Sequence, residues 1–408
     1  MSDADVIGTI AEKQLEKLET KEASQPDTKK ALDIVENFLR SNPVMCYGGT
    51  AINNLLKPEH QFYDFTREVP DYDFYSKTPQ QDAMKIADTL EAAGIPFVQV
   101  KPGIHLGTFK VFADFNGVAD ITHMDEDLFD RLWKEDYVRD KIHYVPPNFL
   151  RMSMYLELSR PEGDVSRWNK VYARLMFLND EYPMLCKMGV KEPEALSEKK
   201  KKDALALLRK EDLILLGFNA SERHDRHTKW YTPVTMLATA ETVARLTKGE
   251  KTEKTEGTEI LPARTDVVES DGSVVFRFYE TQACHSYHTT SDKIRVASIP
   301  TILQFFFAYV YSGVEDEEVT QILCVAQRLM EIAHHESKRR HQLLTPTECI
   351  GHQESLKDML REKTELYDKL GKKKDSPQFL EYFFTYVPKT DRAKRQSIRK
   401  TLKKLKQT

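Results

Sequence analysis

The run Val69-Pro70-Asp71-Tyr72-Asp73-Phe74-Tyr75 places two carboxylates two residues apart. Side chains alternate along a strand, so Asp71 and Asp73 project to one face while Tyr72 and Phe74 project to the other. Two acids on one face repel unless a cation lies between them. Hard oxygen ligands suit Mg²⁺, which keeps several waters and takes part of its shell from substrate phosphates. A third acid, Asp120, lies in Val118-Ala119-Asp120-Ile121-Thr122, among apolar and β-branched residues. A carboxylate there costs energy unless it is paired or metal-bound. Asp114 competes for this role, but Asp114-Phe115-Asn116-Gly117 carries the residue types of a turn.

Gly48-Gly49-Thr50 adds a second kind of chemistry. Glycines let a backbone approach a phosphate, exposed amides at a helix start bind anions, and Thr50 offers a hydroxyl. A lone Gly-Gly is usually a turn. Its weight comes from following an apolar strand, opening a helix and preceding the acid pair. Three acids from two strands beside such a helix start fit two-metal phosphoryl or nucleotidyl transfer. Asp71 and Asp73 would bind both ions, and Asp120 would complete the site of the hydroxyl-activating one.

Cations follow downstream. On a helix, Arg167, Lys170 and Arg174 share one face, with Trp168, Val171, Tyr172 and Leu175 on the core side. Arg151, Arg167 and Lys170 are the candidate nucleotide contacts, and Arg174 a candidate RNA contact. From Lys389 to Lys406, nine Lys or Arg residues face the single acid Asp391. Arg395, Arg399 and Lys403 in this tail are candidates for salt-sensitive, sequence-independent RNA binding. An ordinary solvated surface accounts equally well for either basic segment. Cys284, His285 and His288 have no second Cys/His pair at ligand spacing, which argues against zinc.

The elements that must position these groups read as an α+β chain. Its 408 residues favour two or three domains. With a net charge of −4 it is no polybasic coat, so nucleic-acid contact must come from local patches. Five widely spaced cysteines argue against a disulfide framework and for a reducing compartment. The N-terminus has no signal-peptide core, and the apolar run Leu303 to Tyr311 is too short for a membrane span and reads as a buried helix.

Residues 1–30 read as a polar helix or arm, and a strand at Val44 to Tyr47 leads into the Gly-Gly helix. Thr78, Pro79 and Gln81 predict a capped helix that ends at Gly94. Strands are expected at Pro96 to Val100, Gly107 to Ala113 and Val118 to His123, with Asn116-Gly117 as the hairpin turn. Residues 141–190 read as mostly helical, and Lys251 to Thr258 as a surface loop. The run Ser273 to Tyr279, then Cys284 to Thr289, then Lys293-Ile294 before an apolar helix, weakly echoes Phe109 to Phe112, Val118 to His123 and Lys141-Ile142. The expected domains are an arm over 1–30, a catalytic domain over 31–190, a second α+β domain over 191–388 and a basic tail over 389–408.

Tyr47-Gly48-Gly49-Thr50-Ala51-Ile52-Asn53, Asp71-Tyr72-Asp73-Phe74-Tyr75, Val118-Ala119-Asp120-Ile121 and the run Glu157 to Trp168 together resemble the poly(A) polymerase catalytic subunits of large DNA viruses, of mimivirus-like, asfarvirus and more distantly poxvirus type. Those enzymes are DNA polymerase beta-like nucleotidyltransferases. The resemblance is specific over roughly residues 40–185. The superfamily pattern places D-x-D shortly after Gly-Gly, and here Lys57 to Val69 lengthens that gap. The resemblance implies a nucleotidyltransferase-fold catalytic domain followed by a catalytically silent nucleotidyltransferase-like module. It implies template-independent addition of AMP to RNA 3′ ends from ATP, with Mg²⁺ or Mn²⁺. It also implies a homodimer, no membrane partner, and action in the host cytoplasm with packaging in the virion. The alternatives are a nucleotidyltransferase using another NTP or acceptor, and an RNA-binding scaffold with a vestigial site.

Overall fold

The computed structural model describes residues 2–64, 66, 69–184, 186, 193–225, 229–313, 316–335 and 348–405. The chain forms two compact units. The first comprises Met1–Pro146 with Leu356–Thr408, and the second Pro147–Ser355. This differs from the expected division in two ways: the cut falls at 146 rather than 190, and the segment from 356 returns to the first unit. The expected boundary followed the end of the run 141–190 read as helical. The observed one follows sheet closure, because the last strand of the first sheet ends at Tyr144.

The first unit is a seven-stranded mixed sheet with helices. Its strands are β1 (Met45–Cys46), β2 (Tyr72–Ser76), β3 (Gln99–Pro102), β4 (Thr108–Ala113), β5 (Asn116–His123), β6 (Tyr137–Arg139) and β7 (Ile142–Tyr144). They lie in the order β3-β4-β5-β2-β1-β7-β6. Its first helices are α1 (Asp3–Ala23), α2 (Pro26–Ser41), α3 (Gly48–Leu55), α4 (Pro79–Ala92) and α5 (Glu126–Trp133). Helix α1 is exposed over nearly its whole length, as its polar sequence predicts. Val35 and Leu39 of α2, Phe74 of β2, Ile86 and Leu90 of α4, and Phe109 and Ile121 of the sheet are buried. At about 1.5–3 kcal/mol for each large apolar side chain removed from water, this core fixes the sheet on its helices.

Local signals were mostly met, with exceptions that have physical causes. Helix α4 starts at Pro79 and is followed by Gly94 with φ +86°. The Thr78 side chain makes no capping bond. Instead the Ser76 hydroxyl accepts from the Thr78 amide at 2.8 Å and donates to Asp82 at 2.6 Å, so buried Asp82 organises the turn. The β4–β5 hairpin turns at Asp114 and Phe115, both with positive φ, whereas Asn116 and Gly117 already pair in β5. Residues 252–255, expected in a loop, form a largely exposed strand at the sheet edge, Thr252-Glu253-Lys254-Thr255, whose two charged residues suit that place.

The second unit contains α6 (Pro147–Leu158), α7 (Trp168–Glu181), α8 (Glu198–Lys210), α9 (Gly217–His224), α10 (Ala240–Leu246), α11 (Ile299–Val310) and α12 (Asp316–His335). Its strands are β8 (Ile214–Leu216), β9 (Val234–Ala238), β10 (Thr252–Thr255), β11 (Arg264–Val268), β12 (Val274–Glu280), β13 (His285–Thr289), β14 (Arg295–Ala297) and β15 (Cys349–Ile350). The order is β10-β11-β12-β9-β8-β14-β13-β15. Apart from β15, this repeats the first sheet strand for strand, with the same parallel and antiparallel sense at every pairing. The second module is therefore a topological copy of the first. The sequence echo was offset by one strand: β12, not the segment 285–289, is the counterpart of β5.

The apolar run 303–311 forms most of α11 and its cap and is buried in this unit, as expected. Among the described residues no helix is long and apolar enough to cross a membrane. The cysteine reading is corrected: Cys186 bonds Cys324 and Cys284 bonds Cys349, leaving buried Cys46 free. Partners 138 and 65 residues apart cannot be recognised from spacing.

After residue 355 the chain adds α13 (Leu356–Leu370), α14 (Pro377–Phe383), α15 (Pro388–Asp391) and α16 (Arg395–Leu405) to the first unit. The expected basic tail is thus a docked helix, with Leu402 buried. Arg395 pairs with Asp88 of α4 at 2.7 Å.

Candidate active site

The acids are placed by strand register. Strands β2 and β5 run parallel with Asp73 directly beside Asp120, and Asp71 stands just ahead of β2. Tyr72 and Phe74, buried on the opposite face, hold the strand against the core. On the far side of β5, Lys110 of β4 is the cross-strand partner of Asp120. Its ammonium pairs with Asp120 Oδ2. Asp120 Oδ1 is buried and has no hydrogen-bond partner.

The Gly-Gly motif makes room for these groups. Gly48 opens α3 with φ +72°, and a Cβ added there would stand 2.5 Å from Asp73 Oδ2. The Tyr47 amide donates to the Asp73 carbonyl at 3.0 Å. Thr50 is buried, and its hydroxyl donates to the Asp71 carbonyl at 3.0 Å. Thr50 therefore positions the acid-bearing backbone, and its donor is already used. The Tyr47 ring stacks on Tyr75 at 4.0 Å, and its hydroxyl meets Thr122 Oγ1 at 2.9 Å.

A cleft of about 430 Å³ opens over this corner, lined by Thr50, Tyr63, Pro70, Asp71, Asp73 and Asn116 among others. Such a volume falls in the range of small-molecule sites. The lengthened segment between the motifs supplies Tyr63: Asn53 Oδ1 accepts from the Phe62 and Tyr63 amides at 2.8 and 2.9 Å and ties the loop to α3. Phe65, Arg67 and Glu68 of that segment lie outside the described residues.

The electrostatics favour a cation. Desolvation, then the nearby Asp120 carboxylate, pushes the Asp71 carboxyl up to about 6, against the pull of Lys110. Asp71 as a whole residue is exposed and lines the cleft. Desolvation disfavours the charged form of Lys110, but its bond to Asp120 and the neighbouring acids outweigh this and hold its pKa above the usual range. The orphaned Asp120 oxygen and the crowded acids fit a divalent cation. The ligand atoms of Asp71, Asp73 and Asp120 do not all lie within 4.8 Å of one another. A second acid–thiol group, Glu162 with Cys284 and Cys349, offers no thiolates, since its cysteines are bonded together.

The downstream cations are placed differently. Arg151, read as a nucleotide contact, is 2 % exposed and serves as a strut. It donates to Asn148 Oδ1 at 2.7 Å, Asn179 Oδ1 at 2.8 Å and the Leu178 and Tyr182 carbonyls, joining α6 to α7. Arg167, Lys170 and Arg174 surround Glu157 within the second unit. Arg167 Nε lies 3.2 Å from its carboxylate, while desolvation raises the Glu157 pKa against these three cations. Arg167 and Lys170 are exposed. Arg399 and Lys403 of α16 are exposed as well, whereas Arg395 is half-buried in its ion pair.

The repeated sheet shows what became of the second copy's site. Gly217, with φ +67°, opens α9 as Gly48 opens α3. Aligned by register, Pro233, Thr235 and Arg277 stand where the first module has Asp71, Asp73 and Asp120. Asp266 replaces Lys110, so the cross-strand pair is inverted, with Arg277 bidentate to Asp266 at 2.9 and 2.9 Å. The space over this corner shrinks to about 70 Å³ and is walled by Phe305, Phe306 and Tyr309 of α11. This module keeps the fold and has lost the acids.

Two modules of one topology, one bearing three carboxylates beside a glycine-opened helix, define a nucleotidyltransferase fold. Residues 33–164 match the family model described as poly(A) polymerase catalytic subunit, which bears out the resemblance over the acid-bearing region. A provisionally named poly(A) polymerase catalytic subunit of Acanthamoeba polyphaga mimivirus is 28% identical over 179 residues, 43% of this chain and 30% of that protein. One from African swine fever virus (isolate Pig/Kenya/KEN-50/1950), named in the same way, is 30% identical over 170 residues, 40% of this chain and 35% of that protein. The matched region thus spans about a third of these relatives. The crystal structure of the Megavirus polyadenylate synthase superposes over 100% of this chain and 90% of its own, with a TM-score of 0.82 and 18% identity, and shares the fold.

Proposed function

We propose that this chain is a template-independent polynucleotide adenylyltransferase that transfers AMP from ATP to RNA 3′ ends and releases pyrophosphate. One observation carries the reading: Asp73 and Asp120 stand side by side, Asp71 and Asp73 line a cleft, and Gly48 leaves room for the Asp73 carboxylate. All three acids lie within residues 33–164, which match the model of the poly(A) polymerase catalytic subunit family.

In this reading Asp71, Asp73 and Asp120 would hold Mg²⁺ or Mn²⁺, which would supply activation of the attacking 3′ hydroxyl and neutralisation of the triphosphate. The protein's own work is positioning. Thr50 and the Tyr47 amide fix the backbone of β2. Gly48 leaves the acids uncovered on the α3 side, and the amides at the start of α3 favour negative charge nearby. Tyr63, held by Asn53, gives the cleft an aromatic wall. Exposed Arg167 and Lys170 and half-buried Arg174, with exposed Arg399 and Lys403, are the proposed contacts for phosphates of the triphosphate or RNA. The homodimer, the host cytoplasm and the virion are proposed on the same family resemblance.

Extension of an RNA primer with each of the four NTPs and Mg²⁺ tests this. Strong preference for ATP without a template is expected. Equal use of all four, or preference for another, contradicts adenylate transfer.

A further inference from the structure

Lys110 stands at the acid corner and belongs to neither the acids nor the proposed phosphate contacts. It is the cross-strand partner of Asp120, and its ammonium pairs with Asp120 Oδ2. The other oxygen, Oδ1, is buried without a partner. The three acids fall short of converging. The Lys110 side chain is 36% exposed, against 13% for that of Asp120, so the lysine has solvent into which its flexible stem can swing.

The second module supplies the comparison. At the same register Arg277 is bidentate to Asp266, using both carboxylate oxygens, and the Asp266 side chain is 7% exposed. That pair is closed and sits beside Thr235, where no acid remains. The Lys110–Asp120 pair is half-open and sits beside Asp73. The Asp266 carboxylate has both oxygens bonded to its partner, whereas Asp120 keeps one oxygen free of any hydrogen bond.

We propose that Lys110 is a resident cation at the Asp120 corner, a positioning residue that holds Asp120 Oδ2 and yields it when a divalent ion draws on that carboxylate. This rests on the reading of the acids as a cation site. Lys110 thereby competes with the ion for one carboxylate, and its release frees an ammonium beside the acids as the ion arrives.

Mn²⁺ binding to the full chain without ATP or RNA, read by electron paramagnetic resonance of the free ion, tests this. K110Q and K110M, each checked by circular dichroism, are expected to bind Mn²⁺ on the order of tenfold more tightly, the scale on which a neighbouring opposite charge acts on a carboxylate. K110R keeps the wild-type affinity. In a D120N background the Lys110 substitutions lose their effect. On the wild type, Mn²⁺ is expected to raise labelling of Lys110 by an amine-acylating reagent, a readout that needs no variant. Unchanged or weaker Mn²⁺ binding in the folded variants, or labelling indifferent to Mn²⁺, overturns the role of Lys110 alone. Absence of any Mn²⁺ binding that D71N removes overturns the cation-site reading with it.

Discussion

Gly48 and Asp73 approach so closely that a single methyl group at residue 48 would stand 2.5 Å from the Asp73 carboxylate. The glycine also holds φ +72°, where an L side chain is strained. Gly48→Ala is therefore expected to cost about 1–3 kcal/mol in stability and to cut primer extension at least tenfold, on the order of the cost of small displacements at a positioned site. Thermal unfolding and single-turnover extension check the two effects. Wild-type activity in a folded variant would show that the close approach is incidental.

Arg151 and Arg167 separate support from substrate contact. Removing the buried Arg151 guanidinium leaves Asn148, Asn179 and two carbonyls without their donor, so Arg151→Ala is expected to lose about 3 kcal/mol. Arg151→Lys cannot rebuild the fork and falls between. Arg167→Ala, at an exposed site, is expected to stay within about 0.5 kcal/mol of wild type in stability and to raise the KM for ATP or RNA. Denaturant midpoints and steady-state kinetics distinguish them.

The Asp71 carboxyl gives the metal-free protein a pH signature. Its folded pKa is about 6, against an ordinary 3.8. The native state therefore keeps a proton that the unfolded chain releases across that window, and metal-free stability falls as pH rises through it. Asp71→Asn is expected to raise the melting temperature at pH 7.5 without metal and to leave it unchanged near pH 3.5. Divalent-ion affinity of the wild type declines as pH drops below about 6. A melting difference that is the same at both pH values contradicts this.

The C-terminal helix divides in the same way. Arg395 is committed to Asp88, so Arg395→Ala is expected to lower stability. Arg399→Ala and Lys403→Ala leave stability alone and reduce the salt dependence of RNA binding, by about 0.7 in slope for each phosphate of a single strand that is no longer neutralised. Binding titrations at several salt concentrations report it. Slopes that match the wild type would free α16 from any RNA role.

The legible part of this molecule was the part with local period and chemistry. Alternation placed Asp71 and Asp73 opposite Tyr72 and Phe74, Pro79 and Gly94 bounded α4, and the Gly-Gly pair opened α3. Lys110 was not legible. The tight turn at Asp114-Phe115 by itself would pair Lys110 with Ala119, and a register shift between Val111 and Phe112 moves Asp120 opposite it. Arg151 misled because a charged residue near a basic stripe reads as surface until packing of α6 on α7 is known. The basic tail misled likewise, since buried Leu402 and the Arg395–Asp88 pair dock a segment whose composition is otherwise polar. The disulfides depended on approaches across more than sixty residues. The repeat was sensed only as a shifted echo, because its site residues had changed to Pro233, Thr235 and Arg277 while the strand order persisted.

The central claim is that Asp71 and Asp73 are the catalytic acids of adenylate addition. Extension of a labelled RNA primer with ATP and Mg²⁺ by wild type, Asp71→Ala and Asp73→Ala tests it most directly. The expected result is a loss of roughly a thousandfold or more in each variant, in line with removal of electrostatic stabilisation at a transition state, with unfolding curves at least as stable as wild type. Extension at the wild-type rate by either folded variant would contradict it.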